Sequence, residues 1–133
     1  MDTSRRHRWL RAALLVGVAY VLVGRLFALP ADHVHVWRLA AWIASGAAFA
    51  AHIGYELFTL RNSPRSTAWH AAVAVAIGAF GLAVAGMINA WLSASEIRAT
   101  WLLALVVWPL ITAVPAFLVA FVVGTVLARG LTR

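Results

Sequence analysis

A chain of 133 residues that is 64% hydrophobic and 11% charged, with a mean hydropathy of +0.89, lies outside the composition of soluble globular domains and needs a bilayer as solvent. Its net charge of +7 and pI near 11.8 do not mark a nucleic-acid binder, because the arginines sit at the ends of apolar runs instead of gathering on one face. The absence of cysteine excludes disulfides, thiol redox chemistry, iron–sulfur clusters and covalently attached c-type haem.

Four runs are apolar for about 20 residues or more, the length that carries an α-helix across a hydrocarbon core of about 30 Å. They cover roughly 9–29, 37–60, 69–92 and 101–128. Tryptophans 9, 37, 69, 91 and 101 fall at the ends of these runs, where an amphipathic ring favours the headgroup level. The connections are short, so the expected fold is an all-α, four-helix transmembrane bundle running up-down-up-down as a single integral membrane domain.

The first run follows Arg5, Arg6, Arg8 and Arg11, a pattern shared with secretory signals. Arg25 interrupts it and Leu29-Pro30-Ala31 is a poor small-x-small cleavage site, so retention as a span is the expectation. Arg61 and Arg65 fill the second connection, and Arg129 and Arg133 close the chain. The first and third connections hold Asp32, His33, His35 and Glu96, with Arg38 and Arg98 as their arginines. The positive-inside bias then places both termini and the middle connection in the cytoplasm. Abundant arginine and alanine without lysine point to a GC-rich bacterial genome, and hence to a bacterial inner membrane.

The second run carries a seam of polar and aromatic residues: Arg38, Trp42, Ser45, Phe49, His52, Glu56 and Thr59. Their steps alternate between four and three, which aligns all seven on one helix face. Gly46, Ala50 and Gly54 form a separate small-residue track that permits close approach of another helix. In the connection before it, Asp32-His33-Val34-His35 reads as an extended loop with both histidines on one side.

Ser63-Pro64 suits an N-cap and first-turn proline for the third helix. Within that helix Ala71, Ala74, Gly78, Gly81 and Ala85 repeat at three and four residues, again a packing face. Ser93 and Glu96 have capping-box spacing, which makes Glu96 a cap for the fourth helix and not a catalytic acid. In the fourth run Pro109 and Pro115 should break the hydrogen-bond ladder near mid-membrane and free the carbonyls of Leu105 and Ile111, for which Thr112, a neighbouring helix or water are the available donors.

Depth along each helix limits which polar residues can meet. At about 1.5 Å per residue from the span midpoints, His52 lies about 5 Å and Glu56 about 11 Å toward the cytoplasm, with Arg11 about 12 Å from centre on the same side. Arg25 lies about 9 Å toward the outside, where Asn89 is its depth-matched polar neighbour. Arg11 is therefore the expected partner of Glu56, unless the carboxylate snorkels toward Arg61 and Arg65, with His52 stacked one turn above. The alternative is a water-filled cavity in which Glu56 is a proton or cation site and His52 a relay.

Other chemistries fit less well. His52 and Glu56 offer a metal two ligands at most, with His70 too far toward the cytoplasmic end, so no metal site is expected. His52 and His70 differ in depth by about 11 Å, which rules against a shared haem iron, and no cofactor is expected. Ser45 and His52 stand about 10 Å apart along the axis, too far for a nucleophile and its base. The expected partners are the lipid bilayer, a second copy or a larger membrane complex, and no nucleic acid.

Overall fold

The computed structural model describes residues 3–29, 32–93 and 99–130 and contains four helices, with no strand among them. We label them α1 (Thr3–Leu26), α2 (Val34–Gly54), α3 (Pro64–Leu92) and α4 (Ala99–Gly130). A single π-helical turn, Tyr55–Thr59, continues α2. All four are long and apolar enough to cross a membrane, with spans at His7–Leu26, Val34–Thr59, Pro64–Leu92 and Leu102–Gly130.

The helix ends follow local chemistry. Ser63 is extended and its Oγ accepts from the Ser66 amide at 3.3 Å, with Pro64 opening α3 where its missing N–H costs nothing. His33 takes a left-handed conformation at φ 56° and its carbonyl accepts from the Val36 and Trp37 amides. Helix α2 thus begins at Val34, earlier than the sequence suggests, and His35 lies on its first turn and not in an extended loop. Ser93 also departs from expectation. Its Oγ donates to the Asn89 carbonyl at 2.8 Å and so closes α3, while Glu96 lies outside the described residues.

Large apolar side chains point outward. Leu15 is 71% exposed and Leu92 74%, whereas the buried positions are mostly alanines: Ala13, Ala68, Ala71, Ala74 and Ala120 among them. Water would penalise this arrangement, and lipid does not, because acyl chains are as apolar as leucine. The chain is a multi-pass membrane protein, and close backbone approach between small residues does the packing that a greasy core does elsewhere.

That packing is uneven. Helix α3 lies at the centre of the contacts, packed along α4 and along α1, while α2 leans mainly on α1 and touches α3 only lightly. The α1–α3 seam interlocks. A Cβ at Gly78 would stand 2.6 Å from Tyr20 Cβ, and one at Gly17 would stand 2.6 Å from Ile77 Cγ2. The small-residue track expected on α3 is therefore filled by α1. The track on α2 is left open within the chain: a Cβ at Gly46 would meet nothing within 4 Å, and Ala50 is exposed.

Helix α4 runs through both Pro109 and Pro115. The Thr112 hydroxyl bonds the Trp108 and Pro109 carbonyls at 2.9 and 3.1 Å, not those of Leu105 and Ile111. A threonine hydroxyl reaches back only three or four residues, and Leu105 is seven residues away while Ile111 is its neighbour.

Gly78→Ala should lower the thermal midpoint of the detergent-solubilised protein, at a cost of about 1–3 kcal/mol, because the Tyr20 Cβ it meets cannot swing aside as a chain terminus would. Gly46→Ala should leave that midpoint unchanged, and a thermal-shift comparison of the two checks the assignment of the interlocked face.

Candidate functional site

Glu56 is fully buried on the π turn that ends the second span. A carboxylate sealed from water and lipid costs several kcal/mol unless it is hydrogen-bonded. Two donors meet its Oε2: His70 Nδ1 at 2.8 Å and Asn62 Nδ2 at 2.5 Å. His70 stands on the second turn of α3, and its ring lies flat on Trp9 of α1, with centroids 4.2 Å apart and planes within 3°. Three segments of chain thus meet at one carboxylate.

The backbone explains why Asn62 is in reach. In a π turn the amide bonds five residues back, seen here as Leu60 N donating to the Tyr55 carbonyl at 3.1 Å. Arg61 then adopts a left-handed conformation, φ 51°, and turns the chain so that the Asn62 amide donates to the Glu56 carbonyl at 3.0 Å. Asn62 therefore donates to Glu56 twice, through backbone and side chain. The wider turn also moves Thr59 off the α2 seam, and Thr59 is exposed.

Arg11 is not the partner of Glu56. It is exposed and makes no bond to the carboxylate. The reason is rotational: Ala13 and Gly17 face α3, and Arg11, two residues before Ala13, points about 200° around the helix from it. Arg25 and Asn89 are likewise exposed and do not bond to each other.

Above Glu56, His52 is buried and neither ring nitrogen has a hydrogen-bond partner. Glu56 Oε1 and Thr67 Oγ1 are buried and unpartnered as well. Buried polar atoms are nearly always bonded, so these orphans set the site apart from ordinary packing. Ile53 and Ala68, their neighbours in sequence, form an apolar cluster with Ala71 and Ala120, and Phe49, Leu57 and Phe117 pack against it. Among the described residues no three His, Asp or Glu side chains are grouped to hold a metal ion.

The other half of the α2 seam lines a cavity. Arg38, Trp42, Ser45 and Phe49 face a space of about 530 Å³ to which all four helices contribute, and neither His52 nor Glu56 is part of its wall. The sequence placed these residues correctly on one face. It did not reveal that the face divides into an open half and a sealed half, nor that Asn62, Trp9 and Thr67 belong to the sealed one. Thr67 did carry a signal, since it extends the Ala71, Ala74, Gly78 repeat by one further step of four.

The fold and site together define a four-helix, multi-pass membrane protein with a buried carboxylate–imidazole contact at one end of the bundle. Comparison with protein families, with curated proteins and with solved structures finds no match.

A double-mutant cycle separates the two candidate partners of Glu56. His70→Ala combined with Glu56→Gln should show a coupling of about 0.5–3 kcal/mol in detergent unfolding, and Arg11→Ala with Glu56→Gln should be additive.

Proposed function

We propose that this protein is an accessory component of a bacterial inner membrane, with both termini cytoplasmic, that works by associating with itself or with a larger membrane complex. The observation that carries this reading is the enclosure of Glu56. Its carboxylate is held by His70 and Asn62 inside protein and does not face the cavity, which is how a helix clamp is built and not how an ion is admitted. The open α2 track at Gly46 and Ala50 supports the same reading, since it has no helix against it within the chain. The arginines at both termini and in the connection at Arg61 and Arg65 support the orientation.

One observation favours a second reading, a proton- or cation-coupled transporter centred on Glu56 and His52. The unpartnered nitrogens of His52, with Glu56 Oε1 and Thr67 Oγ1, are the kind of groups through which a proton relay runs.

Proteoliposomes decide between the two. With a pH-sensitive dye inside, wild type and Glu56→Gln vesicles should acidify no faster than empty ones, while Glu56→Gln lowers the thermal midpoint of the protein. Proton flux above the empty-vesicle level that Glu56→Gln removes would overturn the accessory reading.

Orientation has its own check, helped by the absence of native cysteine. In intact cells a membrane-impermeant maleimide should label Ala28→Cys and spare Ser63→Cys, and the reverse pattern would invert the topology.

A further inference from the structure

The cavity between the helices has the size of ligand pockets, which run from about 300 to 1,000 Å³. It follows α2 from Arg38 to Phe49, eleven residues or about 16 Å.

Its wall is apolar, formed by residues such as Phe49, Val75, Leu82, Pro115 and Val119. Its lips are Trp42, 79% exposed, and Trp108, 53% exposed, on the poorly connected side between α2 and α4. An occupant therefore enters sideways from lipid. Polar groups are few and placed at intervals. Arg38 stands about one turn inside the start of α2, at headgroup level, and makes no ion pair among the described residues. The Tyr20 hydroxyl is buried at the groove without a partner, while the Thr112 hydroxyl is already bonded to its own backbone.

We propose that this groove binds one anionic amphipath of the bilayer, its hydrocarbon chain lying along the apolar wall and its acidic head against the Arg38 guanidinium. Charge complementarity fixes the head, because among the described residues Arg38 is the groove's one cation, stands at its outer end and makes no ion pair. The chain itself adds little selectivity, since lipid tails and the groove wall are equally apolar. Discrimination comes from the head. That head is the phosphate of an anionic phospholipid, which a planar guanidinium can hold through two hydrogen bonds and which the leaflet remote from the termini supplies.

The experiment uses the full chain in detergent micelles, titrated with dioleoyl phosphatidylglycerol, dioleoyl phosphatidylcholine or oleate and read by native mass spectrometry. Wild type should bind phosphatidylglycerol in preference to phosphatidylcholine, and a preference for oleate over phosphatidylglycerol would overturn the phosphate head. Arg38→Gln should reduce that preference roughly fivefold. Arg25→Gln, exposed and outside the groove, should leave it intact. Gly46→Phe points a ring into open space in the groove and should abolish binding while the protein keeps its thermal midpoint. Equal binding of anionic and zwitterionic lipid by wild type would overturn the proposal, as would undiminished binding by folded Gly46→Phe.

Discussion

The hydrogen bond from His70 to Glu56 is the constraint around which one end of this bundle is organised. A carboxylate that is fully enclosed has no solvent to fall back on, so its neighbours must be fixed in place, and each of them belongs to a different part of the chain. His70 sits on α3, Trp9 of α1 stacks on its ring, and Asn62 arrives through the π turn and the left-handed Arg61. In lipid no hydrophobic force draws helices together, which gives such a polar contact an organising role that leucine packing cannot fill.

The two halves of the bundle differ as a consequence. At the Glu56 end the helices close over alanines, with Ile53, Ala68, Ala71 and Ala120 in contact. Toward the other end no comparable contact among the described residues draws α2 onto α4, and the same seam that supplies Glu56 opens into an apolar groove with an arginine at its mouth. Between them the interlocked α1 and α3, with Gly78 under Tyr20 and Gly17 under Ile77, give the molecule a rigid spine.

Much of this was legible in the sequence because it depends on periodicity. Apolar length sets the four spans, and the four-three alternation sets the buried faces of α2 and α3. The partner of Glu56 was not legible, for two physical reasons. Depth was informative only along the helix axis: Arg11 and Glu56 share a level, but level says nothing about rotation, and Arg11 faces away. The second reason is the π turn, which no hydrophobic pattern announces and which brings Asn62 back over Glu56. The third membrane span begins with the helix at Pro64 and not at residue 69, which moves its midpoint and leaves His70 about 12 Å from it, near the level of Glu56.

A distance measurement in a membrane tests the central contact most directly. With Glu56 labelled at its carboxyl carbon and His70 at its ring nitrogens, solid-state NMR of the protein in liposomes should show a clear dipolar coupling to Nδ1, as a 2.8 Å Nδ1–Oε2 hydrogen bond requires. Folded protein in which that coupling is missing, or in which Glu56 couples to an Arg11 guanidinium nitrogen instead, would contradict the account.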